Sequence, residues 1–414
     1  MSSNQTPTVW KFGGASLADQ GQLRAVAKRI ADAYRGGRRM VVVLSAMGKW
    51  TDELLSLARG VSSISQPREL DTLLSVGEPV SCALVAMAVT ELGVPAVSLT
   101  GSQAGMHTDR RYGDARLGAI RPQRIITELA AGKVVLVAGF QGTAANGDTT
   151  TLGRGGSDLS AVALAAALGA PECEIFTDVP AVFTADPHVV RGSRRIGTLR
   201  HEQMLEMADA GARVLQSRSV ELALSQGVDI HVRSSFTDED GTWVRRSPEK
   251  HGGAGDAVIA VAHRDREPLY ALSEAGNPAA TLAQHGLTVV GMAPVGNEIR
   301  FTTAQDVTPG AVVSVLGEKV TVRNEMGSVS VVGAAVTDTS RMLSRILTTL
   351  GAAGVKIELV TTRPWRVTVH VETKVVADVA RLLHEELVLA RAVTQGLAPR
   401  VPSAPVAAAV RGNR

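Results

Sequence analysis

The chain has 414 residues, 45% hydrophobic and 20% charged, with 43 lysines and arginines against 40 acidic residues for a formal net charge of +3. That balance suits a globular protein of two or three domains with ample material for a buried core. Aromatics are only 3% of the residues and no Lys/Arg block interleaves with them, so nucleic acid is not an expected partner.

Two cysteines, Cys82 and Cys173, lie far apart in apolar segments and read as small core residues in a reducing compartment, outside any metal-ligand spacing. The N-terminus "MSSNQTPTVW" lacks the basic and apolar regions of a signal peptide. No uninterrupted apolar stretch approaches the ~20 residues a bilayer requires. The expectation is a soluble, cytoplasmic chain with no membrane partner.

In chain order, "TVWKFGG" (8–14) reads as a short strand ending in glycines, and "GQLRAVAKRIADAYRGG" (21–37) as an amphipathic helix stopped by Gly36 and Gly37. "RMVVVLSAMG" (39–48) is a β-branched, buried strand, and "TDELLSLARG" (51–60) a helix with Thr51 as its N-cap. The 71–93 segment reads as one helix, with "VPAVSLTG" (94–101) and "KVVLVAGFQG" (133–142) as strands. "DLSAVALAAALGA" (158–170) is a helix, followed by the strand "ECEIFTDV" (172–179). Strands alternating with helices predict an α/β fold with a mostly parallel sheet covered on both faces. Ligands of such sheets bind beyond the carboxyl ends of the strands, where each glycine-rich motif falls.

After "VDIHVRSSF" the composition turns polar, and residues 237–256 read as a linker. Two segments beyond it look like copies of one unit: "HGLTVVGMAPVGNEIRFTT" (285–303) and "AGVKIELVTTRPWRVTVHV" (353–371). Aligning Gly286 with Gly354 brings Ile299 onto Val367 and Phe301 onto Val369 without a gap, and an apolar helix precedes each copy. This predicts two small modules in tandem. The composition of residues 397–414 predicts a disordered tail.

The chemistry begins with what is missing. There is no G-x-x-x-x-G-K-[ST], no G-x-G-x-x-G after a strand, no H-E-x-x-H and no cysteine cluster, which disfavours a P-loop enzyme, a dinucleotide-dependent dehydrogenase and a zinc enzyme. What remains are glycine-edged strand ends. Lys11 with Gly13, Gly14 and Ser16 forms either an anion cradle or a plain turn beside a surface lysine. In "TLGRGGSD", three glycines permit close approach and Arg154 can clamp a carboxylate or phosphate, while Asp158 is either a functional carboxylate or a helix cap. Glu78 in "SVGEPV" is either a cap neighbour or a partner for a substrate ammonium.

"KFGGAS", "SAMGKWTDELL", "VGEPVS", "GFQGTAANGDTTTLGRGGSD" and "TDVPAVFTADP" occur together in this order. That set resembles the aspartokinases of the amino-acid kinase superfamily, closely over residues 8–236 and more loosely beyond. The resemblance implies an amino-acid kinase fold over 1–236, a linker at 237–256, and ferredoxin-like ACT modules at 257–326, degenerate, and 327–396. It implies transfer of the ATP γ-phosphate, with Mg²⁺ bound through ATP, to the β-carboxylate of L-aspartate, a step of lysine and threonine biosynthesis. It also implies a homo-oligomer paired through ACT modules that take an amino-acid effector. By position, Lys11, Gly13, Gly14 and Ser16 match the phosphate-binding segment, and Ser45 and Thr51 the substrate-side hydroxyls. Glu78 matches the carboxylate facing the substrate amino group, and Arg154 the arginine on the substrate carboxylate. Ser157 and Asp158 match the groups that complete the pocket and orient the lysine. Thr177, Asp178, Phe183, Thr184, Asp186 and Arg213 match the nucleotide side.

The sequence departs from the family pattern at Ala15, Ala181, Phe183, His188 and Arg213, which cluster on the ATP side. The modules depart further: "LSEAGNPAATLAQ" and "VTDTSRML" replace the usual openings, and "GMAPVGN" stands where an effector segment belongs. Weak or absent inhibition by lysine and threonine is therefore expected. Two other readings stay open: a kinase for another small amino-acid carboxylate, and a degenerate, non-catalytic subunit that binds a partner through its ACT modules.

Overall fold

The computed structural model describes residues 6–64, 66–246, 258–273, 276–304, 307–333 and 339–389. An eight-stranded sheet forms the centre of the N-terminal part, in the order Thr198–Arg200, Thr242–Arg245, Asp229–Ser234, Glu172–Thr177, Thr8–Phe12, Met40–Leu44, Val134–Ala138, Ala96–Leu99. Among the described residues its one antiparallel pairing joins Asp229–Ser234 to Thr242–Arg245. Strands Met40–Leu44 and Val134–Ala138 are buried at every residue, as central strands of a sheet covered on both faces must be. Side chains alternate between the faces. Val41, Val43, Val135 and Val137 enter one hydrophobic cluster; Val42, Leu44, Leu136 and Ala138 enter the other. Cys82 and Cys173 are free, buried thiols, one in each cluster.

The helix Gln20–Arg35 covers one face with Leu23, Val26, Ala27, Ile30 and Ala31, capped by Asp19, which accepts the Gln22 N–H at 2.9 Å. Helix Gly156–Ala167, buried almost throughout, covers the other. Strands Thr8–Phe12, Met40–Leu44, Val134–Ala138 and Glu172–Thr177 run parallel, so their carboxyl ends gather along one edge of the sheet.

Three local expectations change. Thr51 is not an N-cap: its helix spans Trp50–Val61, with Lys49 at the cap position and no side-chain capping bond. The helix expected over 71–93 breaks into Pro67–Leu74 and Gly77–Glu91. Pro79 has no N–H to continue the ladder, and the freed Ser75 carbonyl accepts from Gln141 Nε2 at 2.6 Å instead. By length and composition the whole apolar stretch Pro67–Glu91 could cross a membrane, but it buries Glu78, Cys82, Val85 and Val89 inside the protein. The strand expected over 133–142 divides at Phe140, whose φ of 67° is uncommon for a residue with a side chain. Val134–Ala138 stays in the main sheet, while Gln141–Ala144 joins a four-stranded side sheet with Leu117–Ile120, Met106–Thr108 and Thr149–Thr151.

Two further four-stranded sheets make the C-terminal modules. One runs Val289–Val295, Glu298–Thr303, Leu269–Leu272, Val320–Arg323; the other Val258–Arg264, Met326–Gly333, Arg366–Glu372, Leu359–Arg363. Reading the second list backwards aligns the two: the strand pair that looked repeated in sequence sits at equivalent sheet positions. Strand Val258–Arg264 precedes the first module in the chain, yet it hydrogen-bonds to Met326–Gly333 in the second. The first module is therefore nested inside the second, where a tandem order with a boundary between 326 and 327 was expected. Within the expected linker, Thr242–Arg245 is a strand of the main sheet. Residues 247–256 and the expected tail, 397–414, lie outside the described residues.

Candidate active site

At the end of the first strand, Lys11 turns inward and is only 8% exposed. Its Nζ lies 2.5 Å from Asp158 Oδ1, and Asp158 is 7% exposed. Asp158 sits in the first turn of helix Gly156–Ala167, whose N-cap is Gly155 in the left-handed region. It does not cap that helix. Its carboxylate crosses to the neighbouring strand end and pairs with the lysine.

The floor beside Lys11 is glycine. A Cβ on Gly13 would stand 3.4 Å from Lys11 Nζ, and one on Gly14 would stand 2.8 Å from the Ala46 carbonyl oxygen. Any side chain at Gly14 would push against backbone, so glycine is needed there for packing as well as for access. Ser16 follows in the short turn Gly14–Leu17, buried, with its hydroxyl 2.5 Å from Ser235 Oγ. It is a tie to the end of another strand rather than an open hydroxyl.

Just beyond the second strand lies Ser45, half-buried, whose N–H donates to the Phe12 carbonyl at 3.2 Å. The next N–H, that of Ala46, donates to Glu78 Oε1 at 3.2 Å. Glu78 is 3% exposed, and burial pushes its carboxyl up to about 7, against backbone hydrogen bonds that pull it down. Its other oxygen, Oε2, is buried with no hydrogen-bond partner among the described residues. A buried carboxylate oxygen without a donor is costly and calls for a cation. Gly77, just before it in the chain, lets this helix start approach closely, since a Cβ there would stand 2.7 Å from Ala46 Cβ. Thr51, one residue into its helix, is half-buried.

The "GRGG" loop places its members differently. Ser157 is buried, close enough to the strand end at Gly139 that a Cβ there would meet its Oγ at 2.8 Å. Arg154 is exposed and lines a broad cleft of about 740 Å³ with Asp209, Arg218, Arg363 and Arg366. Its guanidinium has no ion pair or hydrogen bond among the described residues, so it stands apart from the Lys11–Asp158 pair in this structure.

The expected nucleotide-side residues converge. Asp178, Phe183, Asp186 and Arg213 line one cavity of about 230 Å³, together with His188. Thr177 Oγ1 donates to Asp178 Oδ1 at 3.0 Å, and Asp186 Oδ1 accepts the His188 N–H at 2.8 Å. Thr184 points away from this space and is buried elsewhere. The opposite wall holds Val261, Ala262, His263 and Asp265, contributed by the second C-terminal module. Sequence reading missed these four because only the strand nesting brings them here. It also missed Asp71, fully buried, which accepts from Gly113 N, Thr151 N and Thr151 Oγ1 at 2.7–3.0 Å and anchors the chain leading into the glycine loop. An isolated aspartate in the apolar 71–93 pattern was the available signal.

A profile of the amino acid kinase family matches residues 6–234, and one of the ACT domain matches residues 329–387. The chain is 41% identical over 399 residues to an aspartokinase of Mycolicibacterium smegmatis, covering 91% of this chain and 95% of that protein. It is 38% identical over 401 residues to an aspartokinase of Thermus thermophilus, covering 93% and 99%. Among solved structures, E. coli aspartokinase III in complex with aspartate and ADP superposes with a TM-score of 0.80 at 23% identity, over 92% of this chain and 99% of that one, which speaks for the fold.

Proposed function

We propose, for a chain that belongs to the aspartokinases of the amino acid kinase family, that its glycine-floored strand ends bring ATP and L-aspartate together for in-line phosphoryl transfer. The product is 4-phospho-L-aspartate. The observation that carries this use of the site is the buried Lys11–Asp158 pair at 2.5 Å.

The acceptor needs no general base. An aspartate β-carboxylate, with a reference pKa of about 3.9, is ionised at neutral pH. One of its oxygens forms the new bond to the γ-phosphorus as the bond to the β,γ-bridging oxygen breaks, and ADP leaves. The obstacle is repulsion between two anions, so positioning and charge neutralisation carry the catalysis. Lys11, held by Asp158, supplies a fixed positive charge beside the N–H of Gly14, while the Gly13 N–H is given to the Phe176 carbonyl at 3.2 Å. Glu78 offers its unpartnered oxygen to the substrate ammonium, and Ser45 and Thr51 offer hydroxyls. Ser157 completes the pocket. Arg154, exposed and without a partner among the described residues, takes the α-carboxylate once substrate enters.

ATP occupies the cavity of Asp178, Phe183, Asp186 and Arg213, with Thr177 bracing Asp178. No group of three His, Cys, Asp or Glu side chains could hold a metal among the described residues. An ion delivered on the nucleotide would find hard oxygen donors in Asp178 and Asp186, which line this cavity. When bound, Mg²⁺ neutralises phosphate charge.

We also propose a cytoplasmic homo-oligomer paired through the ACT modules, with lysine and threonine as weak effectors or none. ATP-dependent hydroxamate formation from L-aspartate and hydroxylamine tests the activity. Turnover with aspartate, lowered in Arg154→Ala through a raised KM for aspartate, supports the assignment. Turnover only with another amino acid, or none, would replace it with one of the two alternative readings.

A further inference from the structure

The nucleotide-side cavity has two owners. Phe183, Asp186 and Arg213 come from the kinase domain, while Val261, Ala262 and His263 come from the strand Val258–Arg264 that completes the second module's sheet. One residue ties the owners together. The Thr184 carbonyl accepts the Val261 N–H at 2.8 Å, its N–H donates to the Arg194 carbonyl at 2.9 Å, and its hydroxyl accepts the Arg194 N–H at 2.9 Å. The same hydroxyl lies 2.8 Å from Nε2 of His384, the last residue of helix Val376–His384 in that module. His384 is completely buried, and Thr184 is 9% exposed. Neither lines the cavity, yet Thr184 is flanked by Phe183 and stands two residues from Asp186, which do.

We propose that His384 is a positioning residue for the nucleotide, fixing the 183–188 loop through the Thr184 hydroxyl and thereby linking the ACT fold to ATP affinity. The proposal rests on reading this cavity as the ATP side. Burial, then the charge of Arg194, pushes the His384 imidazole down to about 4, so the ring is neutral at physiological pH and can share a hydrogen bond with a hydroxyl without carrying charge into the core. Losing that bond leaves a buried hydroxyl short of a partner and frees the loop that carries Phe183 and Asp186.

Steady-state rates of the full-length chain, with ATP and aspartate varied separately, test it. His384→Leu should raise the KM for ATP about fivefold, the effect of one buried hydrogen bond, with the KM for aspartate changed by less than about twofold. Thr184→Val should reproduce the shift, the double variant should add nothing to it, and His384→Gln should recover most of it. Phe183→Ala serves as the control on the cavity. If Phe183→Ala raises the KM for ATP while His384→Leu and Thr184→Val do not, or if their effects simply add, the positioning role is wrong and the cavity assignment stands. If Phe183→Ala leaves the KM for ATP unchanged, the cavity assignment fails and the proposal falls with it. Should His384→Leu prove insoluble, Thr184→Val decides the matter from the kinase side.

Discussion

Glu78 carries the sharpest chemical signature in the site. Its carboxyl ionises near pH 7 in the folded protein and near 4.5 when unperturbed. Between those values the folded state holds a proton that the unfolded chain has released, so this group's stabilising contribution is lost as pH rises through about 7. Glu78→Gln should therefore raise the thermal midpoint by a few degrees at pH 8 and by less at pH 5, read by calorimetry. Substrate binding runs the other way, because the ammonium needs the ionised form. In the native chain the KM for aspartate should climb as pH falls below about 7. In Glu78→Gln it should be pH-independent over that range and higher by about tenfold or more at pH 8, with the KM for ATP unmoved. Lys11 answers to a different readout. Asp158→Asn keeps the shape but removes the counter-charge, and kcat should fall by about 10²–10³-fold with little change in the KM for aspartate. Lys11 was visible in the sequence as a charge at a glycine-edged strand end, Asp158 as one at a helix start and Glu78 as one before a proline in an apolar helix pattern, and the family resemblance gave them roles. Their contacts were not visible, because Lys11 and Asp158 meet only once the helix Gly156–Ala167 packs against the sheet that holds strand Thr8–Phe12. Ser16 was likewise visible as a hydroxyl in the motif, but its contact with Ser235 Oγ at 2.5 Å was not.

Among the elements, strands and helices with clear periodicity were legible, since each of the central strands is a short apolar run between glycine-rich turns. Junctions were harder. The break at Ser75 and Val76 follows from Pro79 and from Gln141, which satisfies the Ser75 carbonyl; the proline was in plain sight, the glutamine was far along the chain. Asp71 welds this broken helix to the start of the glycine loop. Asp71→Ala would leave three donors without an acceptor and should cost about 3 kcal/mol of unfolding free energy, measured by denaturant titration. Gly155 is a second constraint on the same loop. At φ 73°, with a Cβ that would stand 1.8 Å from Gln216 Cγ, it tolerates no side chain. Gly155→Ala should destabilise by about 1–3 kcal/mol and disturb Arg154 on one side and Ser157 on the other.

Across the whole molecule, the kinase domain and the second C-terminal module, which the ACT profile matches, are joined by buried polar contacts. Arg366 of the second module pairs with Glu206 at 3.3 Å, and Thr184 meets His384. Glu358, with its carboxyl held down to about 2 first by its hydrogen bond to Arg323, then by Lys356, also takes Arg300 at 2.6 Å and so fastens the two modules to each other. The repeat in sequence foretold two modules, but their nesting depends on a strand pairing between distant segments that periodicity does not encode. Because the module openings depart from the family pattern, millimolar lysine or threonine should change the steady-state rate by less than about twofold, against the several-fold shifts that coupling energies of 1–3 kcal/mol produce; a several-fold fall in activity would contradict this. The most direct measurement of the central idea is a crystal structure of the chain with L-aspartate and a non-hydrolysable ATP analogue. It should show the β-carboxylate facing the γ-phosphate beside Lys11 and the ammonium within hydrogen-bonding distance of Glu78 Oε2. Aspartate seated away from Glu78, or phosphates away from Lys11, would contradict it.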